Sequence, residues 1–377
     1  MLIGLLKEGD SENRVALLPE IVSNLIKRKV NVCVETGAGD SALATDAAYQ
    51  EAGATIASRE DVLKKADFLI GIHAPEKKLV SSFSKEQIWL SQYNPLWDTD
   101  LVKQFAEQGL TTFSMDAIPR STRGQAMDVL SSQATVAGYK AVLDAANHLP
   151  TFFPMFMTAA GTIRPATVLV LGAGVAGLQA IATAKRLGAQ VQAFDVRSAV
   201  KEEVNSLGAK FVEVEGAKED ATAGGYAVEQ TEEFKQKQQQ AINDHAAKAN
   251  VVICTAQIPG RKAPLLLPGE AVARMKPGSV IIDLAASTGG NCELTKDNET
   301  TVEHGVTIIG QSNYPSLMPV DASKMYGKNI LNFLEVLINE EGNLELNFDD
   351  DIIKGTCITH NGEIINERVK SIIQSKK

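Results

Sequence analysis

The stretch VLVLGAGVAGLQA, residues 168–180, decides the fold of this chain. Its apolar start predicts a buried strand, which runs directly into a glycine turn and then into a helical pattern. Gly172 permits the tight turn, Gly174 allows close approach to the backbone, and Gly177 lets the helix pack closely on the strand. Backbone N–H groups at the helix start then point at one place, which is typical of a phosphate-binding site. The stretch therefore predicts a Rossmann-type βαβ unit.

The next predicted strand ends in an acidic residue. Asp195 follows the residues VQAF and lies 18 positions past Gly177. A carboxylate there accepts hydrogen bonds from both hydroxyls of an adenosine ribose and repels a 2′-phosphate. Arg197 keeps NADP(H) from being excluded outright, but Asp195 favours NAD(H). We therefore predict NAD(H) binding, and the alternative is a glycine turn that binds no ligand.

Two regions of the sequence alternate between strand and helix patterns. The predicted strands are residues 2–6, 31–35, 67–72, 87–91 and 111–115 in the first region and 167–171, 190–194, 210–214, 250–255, 279–284 and 306–309 in the second. Such alternation predicts parallel sheets that helices cover on both faces. We expect an α/β protein with two Rossmann-like, doubly wound parallel-sheet domains, joined by long helices at 132–148 and 321–339.

The predicted domain boundaries follow from this alternation. The first domain covers residues 1–128 and is completed by the C-terminal tail, about 340–377, in which residues 355–360 look strand-like. The NAD(H)-binding domain covers residues 129–339 and includes the linking helices. Residues 213–240 break the pattern because they are polar and charged around a Gly-Gly-Tyr sequence at 224–226. They are either a solvated helix with an irregular start or a mobile loop that closes on the nucleotide.

The composition is that of an ordinary globular protein, with 44% hydrophobic and 22% charged residues. A net charge of −9 argues against a nucleic-acid partner. The four cysteines and five histidines are dispersed without metal-site spacing, so we expect no metal and a reducing, intracellular environment. The most apolar stretch, residues 152–160, is too short to span a bilayer, so we expect a soluble chain that can still dock on a membrane partner.

Several segments resemble one family, the NAD(H)-binding subunit of proton-translocating nicotinamide nucleotide transhydrogenase, which is related to the alanine dehydrogenases. They are KEGDSENRVALLP at 7–19, PRSTRGQAMDVLSSQATVAGYKA at 119–141, MTAAGTIRPATVLVLGAGVAGLQAIATAKRLGA at 157–189, TAGGYA at 222–227 and MKPGSVIIDLAASTGGNCEL at 275–294. The resemblance covers essentially the whole chain, and residues 119–141 are its most specific segment.

The resemblance implies partners and a location. It implies a homodimer that works with a membrane-spanning, proton-conducting subunit and with a separate NADP(H)-binding subunit. These partner subunits would hold the chain in the cytoplasm, peripherally on the cytoplasmic side of the inner membrane.

The resemblance also implies a set of residues that contact NAD(H). They are Arg120, Gln125, Asp128, Ser131, Gly172, Gly174, Val175, Gly177, Asp195, Val196, Arg197, Gly225, Tyr226 and Thr255. Within this set the resemblance gives Arg120, Gln125 and Asp128 a catalytic role. Their chemistry fits, because the Gln125 amide can meet a nicotinamide carboxamide or a ribose, and Arg120 can steady Asp128 or a phosphate. The alternative is a polar interdomain linker with an internal salt bridge.

The related alanine dehydrogenases must move protons as well as a hydride. Where their pattern has a lysine and a histidine, this chain has Gly71 or His73 and then Gln92. Arg14 matches their substrate-carboxylate arginine, and we interpret it as a structural remnant. Hydride passage between two nicotinamides breaks no O–H or N–H bond, so it needs positioning and exclusion of water rather than an acid–base pair. The missing residues favour a transhydrogenase.

We therefore predict a subunit of a proton-translocating NAD(P)+ transhydrogenase of the Re/Si-specific type, which reduces NADP+ with NADH. Two alternatives stay open. One is an alanine or related amino-acid dehydrogenase with His73 as a base, and NADH oxidation that depends on pyruvate and ammonia would indicate it. The other is an NAD-sensing, non-enzymatic module, and failure to transfer hydride to an added NADP(H)-binding domain would indicate it.

Overall fold

The computed structural model describes residues 1–214, 216, 231–258 and 260–375. The chain divides into two compact units. Unit 1 comprises Met1–Gln133 and Pro315–Lys377, and unit 2 comprises Ala134–Tyr314. The predicted mobile-loop residues Gly225 and Tyr226 lie outside the described residues.

The strands among the described residues are short, and most of them are buried. In chain order they are β1 Leu2–Leu5, β2 Asn31–Glu35, β3 Thr55–Ala57, β4 Phe68–Ile70, β5 Ile88–Ser91, β6 Thr111–Ser114, β7 Phe156–Thr158, β8 Gly161–Ile163, β9 Thr167–Leu171, β10 Gln190–Phe194, β11 Lys210–Phe211, β12 Val251–Cys254, β13 Val280–Asp283, β14 Thr300–Glu303, β15 Val306–Ile309, β16 Cys357–His360 and β17 Glu363–Ile364.

The α-helices of the same residues alternate with these strands. They are α1 Pro19–Lys27, α2 Asp46–Glu51, α3 Arg59–Lys65, α4 Lys77–Val80, α5 Thr99–Gln108, α6 Val129–His148, α7 Val175–Arg186, α8 Lys201–Ser206, α9 Glu232–Ala246, α10 Gly269–Ala273, α11 Pro319–Leu337, α12 Asp351–Thr356 and α13 Glu367–Ser375. Short 3₁₀ helices occupy Asp40–Ala42, Met115–Ala117, Gly124–Met127, Ser198–Val200, Ala286–Thr288 and Tyr314–Leu317. None of the helices described is long and apolar enough to cross a membrane.

The sheet of unit 1 runs in the order β17-β16-β6-β5-β4-β1-β2-β3. Strands β1 to β6 are parallel, and their spatial order is the 3-2-1-4-5-6 arrangement of the doubly wound dinucleotide fold. Strand β16 pairs antiparallel with β6, and it lies in the stretch 355–360 that looks strand-like in the sequence. The C-terminal tail therefore completes the sheet of unit 1.

The sheet of unit 2 runs in the order β11-β10-β9-β12-β13-β15-β14. Its first six strands are parallel and repeat the 3-2-1-4-5-6 order, and β14 is an antiparallel edge strand. The predicted α/β class with two Rossmann-like, doubly wound sheets is thus confirmed. The sequence patterns do not predict β3 and β14, because both are short edge strands without a fully buried residue.

Helix α11 differs from its predicted place in the second domain, residues 129–339. It belongs to unit 1, because its apolar stripe of Tyr326, Ile330, Phe333 and Leu334 is buried in the same core as the strands of that unit. The Tyr326 hydroxyl also donates a hydrogen bond of 3.1 Å to the carbonyl of Gly71. The chain passes into unit 2 within α6 and returns after Tyr314.

Candidate nucleotide site

The glycine turn of unit 2 forms at the carboxyl end of β9. Gly172 has a φ of +100°, which an L side chain rarely adopts, and its N–H donates to the carbonyl of Phe194 at 2.8 Å. A Cβ on Gly177 would lie 1.9 Å from the Gly172 carbonyl oxygen, so helix α7 and the turn can touch only through glycine. A Cβ on Gly174 would meet nothing within 4 Å. The space in front of the turn is open, and the exposed Val175 begins the helix beside it.

Asp195 directly follows β10, and its side chain is only 7% exposed. Its carboxylate accepts a hydrogen bond of 2.8 Å from the N–H of Ala173 in the glycine turn. Arg197 donates to the same carboxylate through its backbone N–H at 2.9 Å, through Nε at 2.9 Å and through Nη2 at 2.7 Å. The hydrogen bond to Asp195 raises the pKa of the Arg197 guanidinium. The two side chains therefore form one unit against the turn.

Thr255, directly after β12, completes this edge of the sheet. Its hydroxyl donates to the Gly172 carbonyl at 3.0 Å, and a Cβ on Gly172 would lie 2.6 Å from that hydroxyl. Val196 is half-buried and packs on the core between the sheet and its helices. The structure thus brings together, at the carboxyl ends of β9, β10 and β12, the predicted residues Gly172, Gly174, Val175, Gly177, Asp195, Val196, Arg197 and Thr255.

The other predicted residues within the described chain, Arg120, Gln125, Asp128 and Ser131, belong to unit 1. They lie on a loop that contains the 3₁₀ helix Gly124–Met127 and ends at α6. A Cβ on Gly124 would lie 2.2 Å from the Pro119 carbonyl oxygen, so this tight turn requires glycine. The side chains of Arg120 and Gln125 are exposed. The loop therefore offers a guanidinium and an amide at its surface.

Helix α11 fixes this loop from below. The side-chain amides of Asn329 and Asn332 both donate to the Ala126 carbonyl, at 2.8 and 2.7 Å. Arg123 adds an ion pair of 2.7 Å with Asp350, which caps α12. Because these bonds hold the main chain on both sides of Gln125, the position of its amide depends on the length of its own side chain.

Asp128 has a structural role in this loop. It directly precedes α6, and its carboxylate accepts from the N–H of Ser131 at 3.0 Å and from the Ser131 hydroxyl at 2.6 Å. This is the geometry of a helix N-cap, in which a side chain satisfies a donor of the first helical turn. The structure brings Asp128 and Ser131 together through this cap.

We expect Asp128→Ala to lower the free energy of unfolding by about 1 kcal/mol through the loss of the cap, and Asp128→Asn to keep that stability because asparagine caps equally well. The pair of variants separates the cap from cofactor binding. If the carboxylate also accepts from a ribose hydroxyl, both variants weaken NADH binding, and only the alanine variant lowers stability. Chemical denaturation and NADH titration measure the two effects. Full NADH affinity in Asp128→Asn would leave Asp128 with the cap alone.

A buried ionic cluster follows β1 in unit 1. Arg14 donates to Glu12 through Nε at 2.9 Å and Nη2 at 2.7 Å, and to the Gln133 side chain at 2.8 Å. His73 Nε2 lies 2.6 Å from Glu12. Burial alone would raise the pKa of Glu12, but the hydrogen bonds from Arg14 and His73 outweigh it and hold that pKa well below its usual range. The arrangement is consistent with a structural role for Arg14, which links the N-terminal segment to the first turns of α6.

Sequence reasoning missed two buried polar residues after β13. Asp283 and Asn291 are both fully buried, and the backbone N–H of Asn291 donates to Asp283 at 2.8 Å. An aspartate at the carboxyl end of a buried strand, followed by a Gly-Gly-Asn sequence, is the one local indication of them. No group of three His, Cys, Asp or Glu side chains that could hold a metal occurs in the portion of the chain that the structure describes.

The chain is similar to known proteins over its whole length. The family Alanine dehydrogenase/PNT, N-terminal domain, matches residues 4–137, and Alanine dehydrogenase/PNT, C-terminal domain, matches residues 141–367. An NAD(P) transhydrogenase subunit alpha protein of Rhodospirillum rubrum is 46% identical over 364 residues, 94% of this chain and 95% of that protein.

Two further relatives bracket the family. The crystal structure of a transhydrogenase from Sinorhizobium meliloti matches with a TM-score of 0.88 and 42% identity, over 97% of this chain and 100% of that one. The alanine dehydrogenase of Bacillus subtilis is 28% identical over 380 residues, 98% of this chain and 94% of that protein. The chain belongs to the alanine dehydrogenase/PNT family.

Proposed function

We propose that this chain is the NAD(H)-binding subunit of a proton-translocating NAD(P) transhydrogenase, in which hydride passes from NADH to NADP+. The observation that carries the proposal is the Asp195 carboxylate, held against the N–H of Ala173 in the glycine turn of a doubly wound sheet. This is the arrangement that recognises an adenosine ribose without a 2′-phosphate. The similarity to the transhydrogenase subunit of Rhodospirillum rubrum, at 46% identity, supports the reaction.

The proposed chemistry asks this chain for positioning. NADH supplies the hydride, and the transfer breaks no O–H or N–H bond. The glycine turn and Asp195 hold the pyrophosphate and the adenosine ribose, and the exposed Gln125 amide orients the nicotinamide. Arg120 steadies a phosphate, and Asp128 accepts from a ribose hydroxyl. Ser131, Val175, Val196 and Thr255 supply the remaining contacts, and Gly225 and Tyr226 close over the nucleotide.

The proposed partners follow from the family. Hydride transfer between two nucleotides needs a second binding site, which we assign to an NADP(H)-binding partner subunit. A membrane-spanning, proton-conducting subunit completes the complex and places this chain at the cytoplasmic side of the inner membrane. The word "subunit" in the name of the Rhodospirillum rubrum relative supports a multi-chain assembly.

The β7–β8 hairpin of unit 2 supports the proposed homodimer. Phe156 pairs with Ile163 across the hairpin, and these two side chains are 41% and 44% exposed, with Met157 at 73%. Phe152 and Met155 extend the same apolar surface on the segment before it. A contiguous apolar surface of this kind marks a protein–protein contact. We assign a second copy of the chain to it.

Met157→Glu should therefore weaken the dimer by roughly tenfold or more, because the variant buries an unpaired carboxylate in the interface. The measurement is molar mass by light scattering over a dilution series. Val302→Glu is the matched control, because Val302 is 65% exposed on the edge strand β14, outside the hairpin. A Met157→Glu protein that dimerises like the control would remove the hairpin from the interface.

The test of the proposed function is reconstitution. The purified chain is mixed with the NADP(H)-binding subunit of a related transhydrogenase, and reduction of an NADP+ analogue by NADH is followed by absorbance. We expect hydride transfer that depends on both proteins. NADH oxidation that needs pyruvate and ammonia instead would identify an amino-acid dehydrogenase. NADH binding with neither reaction would identify a sensing module.

A further inference from the structure

The side chain of Asn291 joins two segments at the carboxyl edge of the unit 2 sheet. It is fully buried, and its Oδ1 accepts from the N–H of Ala256 at 3.0 Å. Its Nδ2 donates to the carbonyls of Ala256 and Pro264, both at 2.8 Å. One acceptor and two donors are therefore in use, and among the common side chains of this size only a carboxamide supplies them. Asn291 thus fixes both Ala256 and Pro264.

Asp283, the last residue of β13, holds Asn291 in place. Its carboxylate accepts from the N–H groups of Asn291 at 2.8 Å and Cys292 at 2.9 Å, and from the Thr295 hydroxyl at 2.8 Å. The Asn291 carbonyl in turn accepts from the N–H groups of Leu266 and Leu267. Because Asp283 is fully buried, this network moves as one body with the sheet.

The residues that Asn291 holds lie beside the proposed nucleotide site. Ala256 directly follows Thr255, whose hydroxyl donates to the Gly172 carbonyl in the glycine turn. Asp195 follows β10 on one side of β9, and β12 and β13 lie on the other side. A dinucleotide crosses a doubly wound sheet at the point where the strand order reverses, so its halves lie on opposite sides of the first strand. With the adenosine at Asp195, the nicotinamide half falls over the ends of β12 and β13.

We propose that Asn291 is a positioning residue for the nicotinamide half of NAD(H). It acts through Ala256 and Pro264, whose main chain it holds at the end of β12, and it does not touch the adenosine half. The inference rests on the proposed function, because it takes NAD(H) as the ligand. An aspartate of the same shape cannot replace it, since it would turn an oxygen toward the two carbonyls that now accept hydrogen bonds.

The experiment compares NADH with ADP-ribose, which lacks the nicotinamide, as ligands of the full chain. We expect Asn291→Ala and Asn291→Asp to weaken NADH binding by roughly tenfold, because buried groups lose their partners and the main chain shifts. Binding of ADP-ribose should stay within about twofold of the wild type, because distant sites are nearly independent. Asn243→Ala is the matched control, since Asn243 is a buried asparagine of α9 that bonds to Gln239. It should leave both affinities unchanged.

The outcomes separate the inference from the proposed function. Unchanged NADH binding in the Asn291 variants, or equal weakening of both ligands, would overturn the positioning role. A wild-type chain that binds neither ligand would overturn the proposed function itself. If the Asn291 variants do not fold, Gln257→Ala decides, because the exposed Gln257 makes the other side-chain link, from Nε2 to the Leu284 carbonyl at 2.9 Å. Its loss should weaken NADH and spare ADP-ribose, and an absence of that difference would count against the inference.

Discussion

The wild-type chain is expected to bind NADH at least about a hundredfold more tightly than NADPH, because a 2′-phosphate would meet the Asp195 carboxylate at a cost of several kcal/mol. The carboxylate cannot easily move away, since its side chain is only 7% exposed and the N–H of Ala173 holds it against the glycine turn. The measurement is titration calorimetry with each cofactor. Equal affinities would remove Asp195 from the ribose site.

Arg197 sharpens this prediction. Its side chain and its backbone N–H, together with the N–H of Ala173, supply four hydrogen bonds to Asp195. Four is about the number that a carboxylate accepts, so the ribose hydroxyls must replace the side-chain bonds of Arg197. Asp195→Ala should therefore weaken NADH and remove most of the preference, since Arg197 then meets a 2′-phosphate without a competing carboxylate. Arg197→Ala, the matched variant, should keep the preference for NADH.

The strand order was within reach of the sequence, and the place of α11 was not. Short buried strands that alternate with helical patterns predict two doubly wound sheets, and both sheets have that order. The pattern of α11 shows an apolar stripe, but periodicity does not say which sheet covers the stripe. Burial of Tyr326 and Phe333 in the core of unit 1 decides its place, and that packing depends on residues hundreds of positions away.

The candidate site divides in the same way. The glycine turn and Asp195 are local patterns with a fixed spacing, so their chemistry is readable from the sequence. Asn291 carries no such pattern, because its partners Ala256 and Pro264 lie in another segment of the chain. Asp128 shows the reverse difficulty, since the residue type that suits a ribose hydroxyl also suits a helix cap.

Gln125→Asn is expected to slow hydride transfer on the order of a hundredfold, because one lost methylene moves the amide by about an ångström from its working position. The surrounding loop cannot follow the shortened side chain. Asn329 and Asn332 hold the neighbouring Ala126 carbonyl, and Gly124 is packed against the Pro119 carbonyl. Most of the NADH affinity should survive, since it comes from the adenosine and pyrophosphate contacts of unit 2.

The measurement is single-turnover hydride transfer to an NADP+ analogue on a reconstituted NADP(H)-binding subunit, together with NADH affinity for each variant. Thr122→Ser is the matched control, because it removes one carbon from an exposed side chain of the same loop and should change neither quantity. Asp195→Ala should give the opposite pattern, with weaker binding and a largely intact rate at saturating NADH. If Gln125→Asn lost affinity and rate in proportion, Gln125 would contribute to binding alone, since a positioning group acts on the rate after the nucleotide is bound.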